Sequence, residues 1–141
     1  MLTSQVQIIM PPHVNGKNRL FGGQLMAWID VVAAVEARRH ARSQVTTVQV
    51  DNLVFLAPAF LDDVIRLEAR VTRTWRTSLE VRVDSCIETM DGAAEPINRA
   101  YLVFVALGDD DKPREVEPFV PQTDDEREEW RQAQLRREMR R

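Results

Sequence analysis

The chain has 141 residues, of which 44% are hydrophobic and 29% charged, and its formal net charge is −3 at pH 7. This length suits one ordinary domain, and the composition is that of a globular protein. The acidic balance disfavours a nucleic-acid partner, since such proteins usually carry a basic excess. No apolar run approaches the roughly 18 residues that span a membrane, and no secretion signal is evident. A lone Cys86 suits a reducing compartment, so we expect a cytoplasmic protein without a membrane partner.

The first third of the sequence predicts a short strand, a loop and a long helix. Residues 5–9 lean apolar, and residues 11–19 have the Pro, Asn and Gly content of a loop. We predict the helix from about residue 24 to residue 42. Between Leu25 and Val35 every residue except Asp30 is apolar, so this helix is predicted to be buried on nearly all sides. Cationic side chains near its end suit the negative end of the helix dipole.

After the helix, apolar residues recur at every second position, as they do in strands. Residues 45–56 are rich in β-branched side chains, and the runs 65–72 and 79–88 alternate apolar with charged residues. Such alternation predicts antiparallel strands with one face on a core. Residues 100–107 are apolar throughout and predict a central strand covered on both faces. One buried helix followed by about four antiparallel strands predicts an α+β fold in which the sheet wraps around the helix.

The two alternating runs are joined by a short connection and therefore predict a hairpin. Opposite charges facing each other across strands contribute roughly 0.2–1 kcal/mol each, so we expect the register that produces them. The expected pairs are Arg66 with Asp84, Glu68 with Arg82 and Arg70 with Glu80. Shifting one strand by two residues would instead place like charges opposite each other, Arg70 facing Arg82 and Glu68 facing Asp84.

The last part of the chain differs in character, so we divide it into a domain of residues 1–121 and a charged tail of residues 122–141. Thr123 and Glu126 have the spacing of a capping box. Acids come first in this segment and arginines last, an order that suits the helix dipole. We therefore predict a solvated C-terminal helix. The alternative is a basic tip that binds an anionic ligand or a membrane, although six acids balance six arginines in this segment.

Asp30 is the outstanding polar residue of the helix. A carboxylate among apolar side chains is costly unless it is paired or protonated. At helical spacing its neighbours include Gly23 and Ala34, so one face carries small residues and the acid, and a long apolar ligand could pass there. The structural alternative is that Asp30 bonds an arginine or backbone donors in the core.

Gly22 and Gly23 stand at the entry to the predicted helix. Without side chains their N–H groups are approachable, and the positive end of the helix dipole favours negative charge there. An ester or thioester carbonyl placed at this point would have its developing oxyanion stabilised. Taken alone, the pair is explained as well by a tight turn. Together with Asp30 two turns deeper, it describes a hydrolytic site with an oxyanion hole and a carboxylate base.

Other chemistries have weak support in the sequence. His13 and His40 are far apart and have no companions at metal-ligand spacing, so we expect no metal site and no cofactor. Neither a Gly-x-Ser-x-Gly nucleophile motif nor a Gly-x-Gly-x-x-Gly phosphate loop occurs. Cys86 is expected on the outward, polar face of its strand, and no nearby residue in the sequence is a recognisable activating base.

Residues 13–30 (HVNGKNRLFGGQLMAWID) resemble the signature of the hotdog-fold acyl-CoA thioesterases. Later segments agree with that family in the same order, namely residues 55–58 (FLAP), Asp63, residues 76–78 (RTS) and residues 104–114 (FVALGDDDKPR). The resemblance runs from about residue 6 to residue 118, and the combined pattern is much more specific than any of its parts.

The resemblance implies a long helix wrapped by a five- or six-stranded antiparallel sheet, and hydrolysis of acyl-CoA to a fatty acid and CoA. Two subunits of that family join their sheets edge to edge, the dimers often assemble into hexamers, and the active sites lie at the dimer interface. The helix aspartate of the family falls on Asp30, as general base or nucleophile. The loop asparagine falls on Asn15 and helps position the carbonyl or water, and the amide of Gly23 would be the oxyanion donor.

Further substrate contacts are implied by the same resemblance. Gly22 and His13 belong to the motif, and Arg76, Thr77 and Ser78 fall where such enzymes often hold part of CoA. The sequence departs from the family at three positions that are often glycine, namely Asn18, Asp62 and Trp75. Asn and Asp tolerate left-handed backbone, whereas Trp does not readily do so. Trp75 could therefore fill space over the CoA entrance or change its hairpin.

Two other functions stay open at this point. A hotdog hydratase or dehydratase would use a histidine with an acid, which His13 and Asp30 could supply. A non-catalytic acyl-CoA-binding regulatory module is the second alternative. The presence of both Asn15 and Asp30 favours turnover over binding alone.

Overall fold

The computed structural model describes residues 2–51 and 54–140 as five strands, two α-helices and one 3-10 turn. The elements, in chain order, are β1 (Thr3–Ile8), the 3-10 turn (Pro11–His13), α1 (Gly22–Ala41), β2 (Gln44–Asp51), β3 (Val64–Thr74), β4 (Ser78–Glu88), β5 (Ala94–Leu107) and α2 (Asp124–Met139). The strand predicted over residues 45–56 ends earlier, at Asp51. Asn52 and Leu53, which that prediction included, lie outside the described residues.

The strands form one antiparallel sheet in the order β1-β3-β4-β5-β2. Helix α1 contacts all five strands, so the sheet wraps around it and the core lies between them. Leu25, Ile29 and Phe104 are completely buried in that core. The predicted α+β hotdog arrangement is therefore confirmed, with five strands.

Strand β5 lies inside the sheet, but β4 is the central strand. Tyr101 and Leu102 are consecutive and both buried, which shows that β5 is covered on both faces at that point. Farther along, Val103 and Val105 are only half-buried on the outer face. The prediction for residues 100–107 was thus right about an interior strand and wrong about its central place.

The β3–β4 register differs from the prediction. The structure opposes Glu68 to Asp84 and Arg70 to Arg82, which are the like-charge pairs that the prediction avoided. Both registers keep the same side chains on the core face because they differ by an even number of residues. Hydrophobic burial therefore does not distinguish the two registers. The register that forms depends on which other side chains pair with the charged residues of β3 and β4.

Those partners lie along the strand and on other elements. Arg82 contacts Asp84 on its own strand at 2.9 Å and Glu129 of α2 at 3.3 Å. Asp84 is also bonded by Arg99 of β5, at 2.6 Å. These contacts offset the repulsion between like charges. The prediction could not include them, because it compared only the charges that face each other across β3 and β4.

Helix α2 begins as predicted, with the side chain of Thr123 accepting from the backbone N–H of Glu126 in a capping box. Its outer face is exposed, as predicted for a solvated helix. Its inner face is not, because Ala133 is completely buried against the sheet. Arg136 and Arg140 of that face bond the buried carboxylate of Glu80, at 2.8 and 2.9 Å. The predicted C-terminal helix is therefore confirmed, and only its outer face is solvated.

Two of the three positions at which the chain departs from glycine have left-handed backbone. Asn18 has φ 59° and Asp62 has φ 73°, which short polar side chains tolerate. Trp75 is not among the positive-φ residues, and its indole lies beneath α2, donating to Gln134 at 3.0 Å.

In the described part of the chain, no helix is both long and apolar enough to cross a membrane.

Candidate active site

A small hairpin places the loop motif against the start of α1. Val14 pairs with Leu20, and the N–H of Phe21 donates to the carbonyl of His13 at 2.9 Å. Phe21 is the residue that precedes the first turn of the helix. His13, Asn15 and the two glycines therefore lie at one end of the molecule, as the sequence motif predicted.

Asn15 is exposed, and its side chain is oriented by its own loop. The Oδ1 atom accepts from the backbone N–H groups of Lys17 and Arg19, at 2.9 and 3.2 Å. The left-handed conformation of Asn18 lets the loop turn back to make these bonds. With Oδ1 occupied, the Nδ2 amide is the group of Asn15 that can donate to a ligand. Asn15 also lines a cleft of about 340 Å³ with residues 55–59.

The first turn of α1 has backbone donors without protein acceptors. Helix α1 starts at Gly22 with no side-chain cap, and the N–H groups of Gln24 and Leu25 donate to Phe21. Within the described residues, the N–H groups of Gly22 and Gly23 donate to no protein atom. A Cβ at Gly23 would lie 3.2 Å from the Phe21 ring, so a side chain there would crowd the turn. Two N–H groups at the positive end of the helix are thus available to an oxygen atom.

Asp30 is half-buried on α1 and is bonded by a residue that the sequence analysis did not select. The Oγ1 of Thr47 donates to the Oδ1 of Asp30 at 2.7 Å. Thr47 lies on β2 directly before an irregularity, where the pairing with β5 shifts between Thr47 and Gln49. Such bulges re-aim side chains. In the sequence Thr47 was only one β-branched residue in a strand, so no local pattern distinguished it.

One chain does not bring all these groups together. Gly23 and Asp30 are seven residues apart, which is about 10 Å along a helix axis at 1.5 Å per residue. A thioester carbon in contact with the Asp30 carboxylate is therefore too far from the Gly23 N–H of the same chain for its oxygen to accept from it. Asp30 does not line the cleft of about 340 Å³ that Asn15 lines.

His13 is held by structural contacts. Its Nδ1 accepts from the backbone N–H of Met10 at 2.9 Å, and its ring lies edge-on to Trp28 with centroids 4.9 Å apart. Among the described residues, His13 and Asp30 form no hydrogen bond or ion pair with each other. One chain therefore does not form the histidine–acid pair that a hydratase would use.

Arg76, Thr77 and Ser78 form the β3–β4 turn, near the carboxyl end of α1 rather than its start. The carbonyl of Thr77 accepts from Ala106, and the backbone of Arg76 accepts from Val116, at 2.9 and 2.8 Å. The Arg76 guanidinium lies 3.3 Å from Glu115, and both side chains are well exposed. The structure thus separates this turn from the Asn15 loop. Trp75 directly precedes this turn and lies beneath α2, where Arg137 stacks on its indole and donates to Oγ of Ser78 at 3.4 Å.

No group of three or more His, Cys, Asp or Glu side chains in the described part of the chain has the arrangement of a metal site. The lone Cys86 is half-buried, and burial raises the pKa of its thiol, with the charge of Arg66 acting in the opposite direction. A thiol with a raised pKa has little thiolate at neutral pH, which disfavours a role as nucleophile.

Comparison with known proteins gives a consistent picture. The model of the thioesterase superfamily matches residues 17–94. The uncharacterized acyl-CoA thioester hydrolase YkhA of Bacillus subtilis is 39% identical over 119 residues, which are 84% of this chain and 69% of YkhA. Mouse acyl-coenzyme A thioesterase 11 is 33% identical over 96% of this chain, which spans only 23% of that longer protein.

Solved structures agree with the sequence relatives. The Staphylococcus aureus acyl-CoA hydrolase, solved with butyryl-CoA, CoA and CoA disulfide, is 34% identical and superposes with a TM-score of 0.90. That likeness covers 99% of this chain and 85% of the S. aureus chain, so it includes helix α2. A hexameric acyl-CoA thioesterase, 35% identical, also superposes with a TM-score of 0.90 over 99% of this chain and 90% of its own. The chain therefore belongs to the hotdog-fold acyl-CoA thioesterase family.

Proposed function

We propose that this protein hydrolyses acyl-CoA to a free carboxylic acid and CoA, using Asp30, Asn15 and Gly23. The observation that carries the proposal is the pair formed by Asp30 and Thr47, a half-buried carboxylate oriented by a 2.7 Å hydrogen bond. A carboxylate held in one orientation is suited to activate water or to attack a thioester directly. The reaction needs only water and the acyl-CoA substrate, so we propose no cofactor.

The spacing of these residues supports the assignment. Solved structures of the S. aureus hydrolase include three variants in which an aspartate, an asparagine or a threonine is replaced by alanine. In that protein's numbering the aspartate follows the asparagine by 15 positions, and the threonine follows the aspartate by 17. Asn15, Asp30 and Thr47 have the same two intervals in this chain.

In the proposed reaction the thioester oxygen accepts from the N–H of Gly23, assisted by Gly22 and by Nδ2 of Asn15. As base, Asp30 takes a proton from water while the hydroxyl adds to the carbonyl carbon. The C–S bond then breaks, and the thiolate of CoA takes up a proton. As nucleophile, Asp30 would form an acyl anhydride that water hydrolyses. Both routes develop negative charge on the same oxygen, where the N–H donors stabilise it.

We further propose that each site is shared by two chains. The 10 Å between Gly23 and Asp30 along one helix prevents one chain from supplying both groups. Strand β2, which carries Thr47, is an edge strand, and Val48 on it and Val31 on α1 are each 55% exposed. A second copy packed on this edge would cover them and bring its Asn15 loop to Asp30. Hexameric solved relatives support assembly of such dimers into a hexamer.

The principal test is thiol release from acyl-CoAs of graded length. We expect Asp30→Asn, which is nearly isosteric, to lower kcat by about 100-fold or more. Thr47→Val removes the hydroxyl that orients Asp30 and is expected to cost about tenfold or more. Thr46→Val is the matched control, because Thr46 is the exposed neighbour on the same strand. Near-normal turnover by a folded Asp30→Asn protein would contradict the role of Asp30, and CoA binding without any thiol release would favour the regulatory module.

Mixed dimers test the shared site. Asn15→Ala and Asp30→Asn subunits are each expected to be inactive alone. In a dimer that contains one of each, a shared arrangement leaves one site intact and one site doubly altered. In a hexamer whose chains pair at random, half of the dimers are mixed and about one site in four is intact. Co-expression with different tags and purification of the doubly tagged species should therefore restore about a quarter of the wild-type activity. If activity stays at the level of the parents while both variants assemble normally, the two residues come from one chain.

A further inference from the structure

We infer that Asp51 and Arg140 are positioning residues for the reaction. Their ion pair holds a bulge of β2 in place, and the bulge aims Thr47 at Asp30. The inference rests on the proposed function and adds a role for helix α2 to it. The guanidinium of Arg140 donates to Oδ2 of Asp51 through Nη2 and Nε, at 2.7 and 3.1 Å. The Arg140 side chain is only 12% exposed, so the pair is largely shielded from water.

The bulge is a shift in the pairing of β2 with β5. Thr47 lies opposite Phe104, on the face that packs on α1. Gln49 lies opposite Val103, on the outer face of the sheet. Val48, between them, is the extra residue of the bulge and is 55% exposed. Because an extra residue increases the local twist and re-aims neighbouring side chains, the orientation of Thr47 depends on where the bulge lies.

Asp51 depends on the same bulge for its place. It lies opposite Tyr101 on the outer face, where Arg140 bonds it. Without the extra residue, Asp51 would move by one position and lie opposite Ala100, which is completely buried on the core face. A carboxylate in that place would lose both water and its cation, which is costly. The Asp51–Arg140 pair therefore requires that the extra residue stay before the end of β2.

The two ends of β2 are thus fixed in registers that differ by one residue. Before the bulge, Thr47 donates to Asp30 of α1 at 2.7 Å. After the bulge, Asp51 is bonded by Arg140 and accepts from Nε2 of Gln49 at 3.1 Å. These contacts confine the extra residue to the position between Thr47 and Gln49. If Arg140 is replaced, only the first half of β2 stays fixed, so the bulge can move along the strand and the aim of Thr47 is lost.

Arg136 provides a matched control on the same helix. Both Arg136 and Arg140 bond the buried carboxylate of Glu80, at 2.8 and 2.9 Å. Among the described residues, Arg140 alone of these two also bonds Asp51. Arg136→Met and Arg140→Met therefore both weaken the attachment of α2 to Glu80, and only Arg140→Met releases β2.

The kinetic test compares these two variants in thiol release from acyl-CoA, each as folded protein. Arg140→Met is expected to lower kcat about tenfold, because small displacements of catalytic groups are costly, and to change KM less than about twofold. Arg136→Met should keep near-normal kcat. If Arg140→Met does not fold, Asp51→Asn replaces it, since this variant leaves Arg140 on Glu80. Near-normal kcat in the variant without the ion pair, or an equal loss in Arg136→Met, would overturn the inference.

A double variant shows whether Arg140 acts through Thr47. In Thr47→Val/Arg140→Met protein, kcat should be no lower than in Thr47→Val alone, because the hydroxyl that the bulge aims is already absent. A merely structural role of Arg140 would instead make the two losses multiply, and that result would overturn the inference.

Hydrogen exchange separates this inference from the proposed function. In unliganded protein, peptides that cover β2 should exchange faster in Arg140→Met than in Arg136→Met, as measured by mass spectrometry. This difference does not require that the protein hydrolyses thioesters, and its absence would overturn the inference. Normal turnover by Thr47→Val would instead contradict the proposed function.

Discussion

Helix α2 is attached to the sheet by a buried ion cluster, and the contribution of this cluster to the free energy of unfolding can be measured. The Glu80 carboxylate is 0% exposed and accepts from Arg136 through Nε and Nη2, at 3.0 and 2.8 Å, and from Arg140 at 2.9 Å. The hydroxyl of Thr72 donates to the same carboxylate. Replacing Arg136 by Met keeps an unbranched apolar side chain, and removes both one cation of this cluster and the guanidinium that lies 3.6 Å from the centre of the Tyr101 ring.

The expected loss of stability follows from the Glu80 carboxylate, which stays buried after Arg136 is replaced. Removing one partner of a buried ion pair typically costs 3–5 kcal/mol, because the other charge stays buried without compensation. Here Arg140 remains on Glu80, and the Arg136 side chain is itself 21% exposed. We therefore expect Arg136→Met to lower the free energy of unfolding by about 2–4 kcal/mol, near the lower end of that range.

Equilibrium urea unfolding at fixed protein concentration, followed by circular dichroism, measures this change. Arg131→Met is the control, since Arg131 is on the same helix and pairs with Glu128 at the surface. An exposed pair of this kind contributes about 0.5 kcal/mol or less. Equal destabilisation by Arg136→Met and Arg131→Met would refute the reasoning.

A double variant examines the cause of the loss. Glu80→Met combined with Arg136→Met removes the buried anion together with one of its cations. If the cost of Arg136→Met comes from an uncompensated carboxylate, the double variant should be more stable than Arg136→Met alone. A double variant that is less stable than the single one would show that packing, and not charge, dominates this contact.

Two further predictions follow from the site and its surroundings. Arg76→Ala is expected to raise KM several-fold more for acyl-CoA than for a thioester without the nucleotide, and equal effects on both substrates would place Arg76 away from the nucleotide. Because burial raises the pKa of Cys86, its alkylation by iodoacetamide at pH 7.5 should be slower than that of glutathione and should accelerate as pH rises through the alkaline range. A Cys86 that reacts faster than glutathione at pH 7.5 would contradict this.

Local features of the chain were predictable because short-range physics decides them. The apolar run from Leu25 to Val35 specified the central helix, and alternation specified the strands that wrap it. The prediction that this helix is buried on nearly all sides was wrong for the single chain, in which Ala27 and Val31 are exposed. The capping box at Thr123 formed as its spacing indicated. Asn18 took the left-handed conformation that its short side chain tolerates. The loop motif and the glycines lie together because a few residues separate them in the sequence.

Contacts between distant residues were not predictable in the same way. The partner of Asp30 is Thr47, whose orientation depends on an irregularity in the pairing of β2 with β5. The partners of Glu80 lie more than 50 residues away on α2, so a helix that reads as solvated has a face fixed to the sheet.

The sequence by itself determined which segments are helix or strand, because periodicity and caps act over a few residues. Only the tertiary structure decided the β3–β4 register, since two registers of equal parity bury the same side chains and differ only in their charge partners. Those partners come from α2 and β5, Glu129 and Arg99 among them. The rise of helix α1 already sets the distance between Gly23 and Asp30 of one chain, and from it follows the proposal that two chains form each site. The tertiary structure decided which residue orients Asp30, because Thr47 reaches it from β2.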